Sequence, residues 1–333
     1  MTNSTTKTVL AGDIGGTKTL LTVAQVSGNT IDSDNIDIVA EHRFDSQAYA
    51  SFDDVLNEFF RQTWHKNAGA IHCACIGVAG PVKGHLAKVT NLPWKLDSEA
   101  LTRQFDIGQL RLINDFQAVG YGIEILGAED FCQLQAGEPQ QHGVRAVIGA
   151  GTGLGHGILI WQQDRYEVFS SEAGHTSFAP TDPLQIELLQ YWQNQFDNVS
   201  FEMVCSGPGL ENIYRFLAEQ NALSGSKGLS AAEITGLAFD QKEPLAQQAL
   251  QLFIKIYGAQ AGNLALTCLA TGGVYVAGGI APKILPALQQ GEFINAFNNK
   301  SKMHDLLKNM PVSVVTNPKV GLLGTLAVAA FHM

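Results

Sequence analysis

The sequence predicts an α/β protein of two lobes with a cleft between them. Three observations lead there. The chain has 333 residues, too many for one compact core and suited to two domains. Short β-branched runs alternate with amphipathic ones, the pattern of sheets covered by helices. An apolar strand running into a glycine hairpin occurs before Gly15-Gly16 and again before Gly149–Gly155, which suggests a duplicated unit facing itself.

Taken in order, Val9-Leu10-Ala11 and Leu20–Ala24 are two short strands joined at Gly15-Gly16. Adjacent glycines allow positive φ and leave no side chain above the turn. Ile36–Phe44 reads as a third strand. Ser51 caps a helix running to about Lys66, with Phe52, Val55, Leu56, Phe59 and Phe60 on one stripe. Ile71–Val78 is a strand ended by Ala79-Gly80-Pro81; Val82–Val89 runs back, and Thr90–Trp94 is a loop. Asp97 or Ser98 caps a helix to Phe105, Leu110–Ile113 is a strand, and Phe116–Ile125 a helix. A second module starts near Gly127. It holds the strand Ala146–Ile148, a glycine loop over Gly149–Gly155 and a return strand Gly157–Trp161. The stretch 183–222 reads as helical with an interruption at Ser206–Gly209, and 231–266 as helical with a break near 240–244. The strand Gly273–Val276 ends at Ala277-Gly278-Gly279. Pro282 sits at a first helical position of a helix to about Gln289. Val312–Val315 and a small-residue helix Gly321–Phe331 close the chain. The expected domains are 1–125 plus 316–333, a small α/β lobe, and 126–315, a larger α+β lobe.

Composition narrows the function. A 45% hydrophobic, 16% charged chain with 34 glycines is a buried, turn-rich globular protein. Its net charge of −10 and lack of a basic block speak against nucleic acid and against an anionic membrane as partners. Met1–Thr8 carries no apolar leader and no run reaches transmembrane length, so a cytoplasmic location is expected. Cys73, Cys75, Cys132, Cys205 and Cys268 are scattered, without a metal-site spacing, and read as buried free thiols.

Two nucleotide motifs are excluded by inspection. The chain has no Gly-Lys dipeptide and hence no Walker A loop, and Leu154 and His156 stand where G-x-G-x-x-G needs its third glycine. Three strand–glycine turns remain. In the first, Gly12, Asp13, Ile14, Gly15, Gly16 and Thr17 form a hairpin where an anion can approach backbone N–H groups, with Thr17 and Lys18 as donors. Taken alone it reads equally well as a structural turn. The second holds Gly151, Thr152 and Gly153. The third, ending at Gly279, is followed by a helix start that favours negative charge or packs on a flat ring. Asp115, at a strand end, reads as a helix N-cap or as a general base. Glu172 and His175 lie at i, i+3 beside the glycine loop and suit vicinal hydroxyls, which both donate and accept. Glu202 by itself reads as a helix-surface carboxylate.

Together these turns resemble the phosphate-1, phosphate-2 and adenosine motifs of the sugar kinase/actin-like ATPase superfamily. Within it the chain resembles the bacterial glucokinase family: G-D-I-G-G-T at 12–17, T-N-L-P-W at 90–94, I-N-D-F at 113–116 and G-A-G-T-G-L-G at 149–155. E-A-G-H at 172–175, S-G-P-G-L at 206–210, A-G-G-I at 277–280 and N-P-K-V-G-L-L-G at 317–324 follow in the family's order. The resemblance implies a two-lobed actin-like ATPase (ribonuclease H-like, duplicated) fold and transfer of the γ-phosphoryl of ATP, as Mg-ATP, to the 6-hydroxyl of D-glucose. It implies Asp115 as general base, with Asn114, Glu172, His175, Glu202 and Asn91 binding sugar. Lobe closure would exclude water from the transfer. Asp13 would meet Mg²⁺ through water, with no dedicated metal site, and a homodimer serving glycolysis is expected. Two departures stand out. Lys18 occupies a position where Asn is common, and Ala173 replaces a glycine. The related repressor/kinase (ROK) group is disfavoured because its cysteine-rich zinc motif is absent. Alternatives are a kinase of another hexose, or a non-catalytic actin-like ATP-binding protein, which would need no sugar constellation.

Overall fold

The computed structural model describes residues 6–28, 35–64, 69–221, 228–241 and 243–333. The expected ends at Lys66 and Ala222 lie outside them, as does most of the polar start of the chain. The chain divides into two compact units: residues 1–129, 166–168 and 317–333, and residues 130–165 and 169–316.

The first unit opens with β1 (Lys7–Ile14), β2 (Lys18–Val26) and β3 (Ile36–Asp45). Then come α1 (Phe52–Gln62), β4 (Ile71–Val78), β5 (Val82–Lys83), β6 (Leu86–Lys88), β7 (Lys95–Asp97), α2 (Ser98–Phe105), β8 (Ile107–Asn114) and α3 (Asp115–Ile123). Its main sheet has the order β3-β2-β1-β4-β8, with β1 antiparallel to β2 and parallel to β4. Ser51 closes a capping box on α1: its hydroxyl accepts from Asp54 N at 3.2 Å, and its N–H reaches the Asp54 carboxylate at 3.0 Å. Phe52, Val55, Leu56 and Phe59 are fully buried against the sheet. The single return strand expected over 82–89 is instead two short strands, β5 and β6, that pair antiparallel around Gly84 at φ +62°.

The second unit holds β9 (Phe131–Gln135), β10 (Arg145–Ala150), β11 (Leu154–Gln162), β12 (Arg165–Ser171), α4 (Pro183–Gln193), α5 (Gly207–Gln220), α6 (Ala231–Phe239) and α7 (Pro244–Cys268). It ends with β13 (Gly273–Ala277), α8 (Leu285–Leu288), α9 (Glu292–Asn298), α10 (His304–Lys308) and β14 (Val312–Val315). The sheet order is β12-β11-β10-β13-β14-β9. As in the first unit, the hairpin strand β10 is antiparallel to β11 and parallel to the later strand β13. The two sheets therefore repeat one topology: a three-strand meander extended by two parallel strands. Ser206–Gly209 does not interrupt a helix. It begins α5, with Ser206 Oγ accepting from Gly209 N at 3.0 Å, while the chain from Asn194 to Cys205 is irregular. The helix expected from Pro282 to Gln289 is a 3₁₀ turn over Ala281–Ile284 followed by the four residues of α8.

The last helix, α11 (Val320–Phe331), returns to the first unit and packs on α3, β1 and β4. The approach is close because glycines face it. A β-carbon on Gly324 would land on the Ala118 carbonyl oxygen, and one on Gly122 would land on the Val320 carbonyl. Gly77 leaves 3.2 Å to Thr325 Cγ2 and 3.3 Å to Ala118 Cβ. Backbone thus meets backbone where α3 crosses α11, and dispersion contacts fix α3 with little slack.

Candidate active site

In the first unit, the hairpin between β1 and β2 closes with Gly15 N–H donating to Lys18 O at 2.9 Å. Neither Gly15 nor Gly16 has positive φ, so the expected conformational reason for two glycines does not apply. The reason is steric. A β-carbon on Gly16 would sit 3.0 Å from Asn91 Cβ, so the turn needs a bare residue where the T-N-L-P-W loop lies against it. That loop is anchored by Trp94, which is buried and donates its indole N–H to Tyr49 O at 3.1 Å. Thr90 N–H adds a 2.9 Å bond to Ala79 O. Ser46 braces the hairpin from the other side. Its hydroxyl donates to Gly15 O at 2.9 Å, and its N–H donates to Thr17 O at 3.1 Å.

The predicted hairpin residues divide by direction. Gly12 and Ile14 face the core: a β-carbon on Gly12 would meet the Ile76 and Leu21 side chains, and Ile14 is fully buried. Gly15, Gly16, Thr17 and Lys18 form the accessible turn. Asp13 points towards the start of α11, where Gly321 leaves room for it; a β-carbon there would stand 3.2 Å from Asp13 Oδ2. Burial pushes the Asp13 carboxyl above its ordinary range, and Lys18 opposes the shift.

Asp115 is the first residue of α3, and Asn114 is the cap. Asn114 Oδ1 accepts from Phe116 N at 2.9 Å and from Gln117 N at 3.4 Å. The capping role that sequence patterning offered to Asp115 therefore falls to Asn114. Asp115 Oδ1 also accepts from Phe116 N at 3.0 Å, and a carboxylate in a first turn is favoured by the helix dipole. The Asn114 amide nitrogen donates to Gly80 O in one long contact of 3.4 Å. Further along α3, Gln117 Nε2 donates to Val168 O at 2.7 Å, and Tyr121 donates its hydroxyl to Glu167 at 2.9 Å.

In the second unit, the glycine loop is shorter than the sequence suggested. Gly149 and Ala150 belong to β10, Leu154 and Gly155 to β11, and only Gly151-Thr152-Gly153 lie between. Gly151 N–H donates to Gly153 O, and Gly207 N–H, at the start of α5, donates to Gly151 O, both at 2.8 Å. Gly278 supplies the positive φ, +83°, and packs against Ala150, whose oxygen would stand 2.5 Å from a β-carbon there. Gly279 faces open space. With a 3₁₀ turn behind it, this third glycine turn offers a flat, bare surface and not the helix N-terminus expected.

The loop is bound to a cluster of polar side chains. Glu202 lies in a turn, not on a helix, and its side chain is 33% exposed. Glu202 Oε2 accepts from Leu154 N at 2.9 Å, and a β-carbon on Gly153 would approach it to 2.6 Å. His175 Nδ1 stands 4.0 Å from Glu202 Oε1, and His175 Nε2 stands 4.0 Å from Glu172 Oε2. The Glu172-Ala173-Gly174-His175 turn is closed by His175 N–H donating to Glu172 O at 3.0 Å. It rests on the start of β11, where a β-carbon on Gly174 would strike Leu154 O. Two carboxylates and an imidazole so arranged can accept from and donate to neighbouring hydroxyls. Sequence reasoning named these residues but missed that Glu202 also holds the glycine loop. That bond spans 48 positions and leaves no local signal.

All five cysteines are free thiols, and burial pushes those of Cys75 and Cys205 well up. No described group of three or more His, Cys, Asp or Glu is arranged to hold a metal ion, and no described helix is long and apolar enough to cross a membrane.

The duplicated sheet, the paired glycine hairpins and the carboxylate–imidazole cluster match what is expected of the sugar kinase/actin-like ATPase class. A family model described as Glucokinase matches residues 10–332. The glucokinase of Nostoc punctiforme is 40% identical, over 97% of this chain and 98% of that protein, and that of Synechocystis sp. is 40% identical over 96% and 97%. The chain belongs to the glucokinase family. Among solved structures, the glucokinase of an Antarctic psychrotroph superposes with a TM-score of 0.85 at 31% identity, covering 97% of this chain and 98% of that one. A glucokinase from Balamuthia mandrillaris in complex with glucose shares the fold, with a TM-score of 0.82 at 23% identity over 99% and 95% of the two chains. So does a ROK family glucokinase from Streptomyces griseus in complex with glucose and AMPPNP, with a TM-score of 0.62 at 20% identity over 97% and 99%.

Proposed function

We propose that this chain carries out its family's reaction, transfer of the γ-phosphoryl group of ATP to the 6-hydroxyl of D-glucose, with Asp115 as the general base. The observation that carries this reading is the Glu172–His175–Glu202 cluster, in which Glu202 accepts from Leu154 N just past the Gly151–Gly153 loop. A protein that only switched on ATP would have no use for it. Asp115 takes the proton from the sugar 6-hydroxyl as that oxygen attacks phosphorus, and the ADP oxygen leaves with the electron pair. Asn114 binds sugar through its amide, and Glu172, His175 and Glu202 bind the ring hydroxyls. Asn91, seated on Gly16, is assigned to the sugar side of the hairpin. Backbone N–H groups of Gly15 to Thr17 and of Gly151 to Gly153 receive the phosphates, and Gly279 gives a flat seat for the nucleoside.

ATP enters as its magnesium complex. The hairpin between Gly12 and Lys18 offers one carboxylate, Asp13. That donor set suits an ion that keeps its waters and is carried on substrate phosphates. When bound, the ion offsets charge on the β- and γ-phosphates. On this reading the enzyme works in the cytoplasm as a homodimer, and its product feeds glycolysis.

A coupled assay offering glucose, mannose, fructose and N-acetylglucosamine with ATP tests the reading. Glucose is expected to give the highest kcat/KM and glucose 6-phosphate as product. ADP release without any phosphorylated sugar would sink it. A pair of variants separates the two duties of Glu202. Glu202→Gln keeps an acceptor for Leu154 N and loses the charge facing His175, so glucose KM should rise about 10–100-fold with ATP KM near normal. Glu202→Ala also leaves Leu154 N without its partner, so ATP KM should rise as well. Equal effects of both variants on ATP KM would separate the carboxylate from the loop.

A further inference from the structure

The hydroxyl of Tyr257 lies where both nucleotide turns of the second unit begin. Tyr257 is on α7, and its side chain has no exposed surface. Its ring packs edge-on against Phe293, with centroids 5.4 Å apart, and against Phe253 at 5.8 Å. Packing of that kind is satisfied by phenylalanine. A buried phenol oxygen costs free energy unless it is hydrogen-bonded, so the choice of tyrosine points to what the oxygen touches.

It touches two strands at once. Ala150 N–H donates to Tyr257 Oη at 3.1 Å. The same oxygen stands 3.4 Å from Ile148 O and 3.4 Å from Ala277 O. Ile148 and Ala150 end β10, and Ala277 ends β13. The next residues are Gly151-Thr152-Gly153 after one strand and Gly278-Gly279 after the other. The ladder between β10 and β13 has its last pair at Gly149 and Ala277. Past it, Gly278 turns away at φ +83°, and the hydroxyl takes up the Ala150 N–H. The Ala150 oxygen is held as well, by Ile280 N–H at 3.2 Å. Both backbone groups of the residue before the loop are thus committed, one to α7 and one to the chain beyond Gly279. Burial pushes the phenol far above its ordinary range, with Cys205 adding to the shift and the Ala150 N–H opposing it, so the hydroxyl keeps its proton.

We propose that Tyr257 is a positioning residue for ATP: its hydroxyl sets the register of the two glycine turns, and it touches no substrate itself. The inference rests on the nucleotide half of the proposed function. Tyr257→Phe keeps the ring and its packing and deletes the hydroxyl that accepts from Ala150 N.

The test measures ATP affinity by calorimetry, kinetics with both substrates, and amide hydrogen exchange. Tyr257→Phe is expected to weaken ATP binding about tenfold, equivalent to about 1.4 kcal/mol. Glucose KM, and kcat at saturating ATP, should stay within about twofold of wild type. Exchange should quicken at residues 150–153 and 278–280 and not elsewhere. Phe293→Leu is the packing control: it should lower Tm and leave ATP affinity unchanged. The proposal is overturned if Tyr257→Phe binds ATP as wild type does, or if Phe293→Leu weakens ATP binding as much. It is also overturned if the Ala150 amide already exchanges freely in the wild-type protein. Should the wild type bind ATP yet phosphorylate no sugar, the kinase reading fails while the effect of Tyr257 on ATP affinity is still measured.

Discussion

Asp115→Asn is expected to lower kcat by about 10²–10⁴-fold while leaving ATP affinity close to wild type. The asparagine preserves size, and Asn114 still caps α3 through its bonds to Phe116 N and Gln117 N. The helix therefore has no reason to fray. What is lost, on the proposed mechanism, is a carboxylate able to accept a proton as the sugar oxygen attacks. Because that interaction matters in the transition state and little in the ground state, kcat and kcat/KM for glucose should fall together. Steady-state kinetics with calorimetric ATP titration separates the two quantities. Near-normal turnover would remove Asp115 from the chemistry.

Gly324→Ala should be nearly as damaging from a position that touches no substrate. Its new β-carbon would meet the Ala118 carbonyl oxygen, with Ala118 C and Gly122 N each 2.7 Å away. These are backbone atoms of α3 and cannot swing aside as a side chain can. The two helices must part, at a cost of about 1–3 kcal/mol or more. Since α3 begins at Asp115, its shift also misplaces the proposed base, and a displacement of about 1 Å can cost on the order of 10²-fold in rate. Urea unfolding should show a lower midpoint with little change in slope, and kcat should drop in the protein that remains folded. An unchanged midpoint would mean that the helices are not in contact as described.

Much of this could be read from the chain, and what could not shares a physical cause. Local signals served well. Short apolar runs marked β1, β2 and β10, the Ser51 cap marked the start of α1, and the i, i+3 spacing of Glu172 and His175 placed them on one turn. Features set by distant partners were illegible. β9, Phe-Cys-Gln-Leu-Gln, has weak strand character and forms because β14, some 180 positions on, offers an edge. The glycines at 15 and 16 were legible as a turn but not as a seat for Asn91, a contact across 75 positions. Pro282 looked like the first residue of a helix to about Gln289, and a 3₁₀ turn followed by the four residues of α8 took its place. Tyr257 was one of two aromatics in the 25 residues of α7, with nothing nearby to mark its hydroxyl.

The return of α11 to the first unit also orders how the molecule can be made. The second unit's residues run from 130 to 316 with one short excursion, so nearly all its core exists once residue 316 has been synthesised. The first unit contains the N-terminus but lacks the helix that covers α3, β1 and β4 until residues 320–331 follow. Domains generally form in the order of synthesis. Here the earlier-made unit is finished later than the second, because its sheet waits for α11.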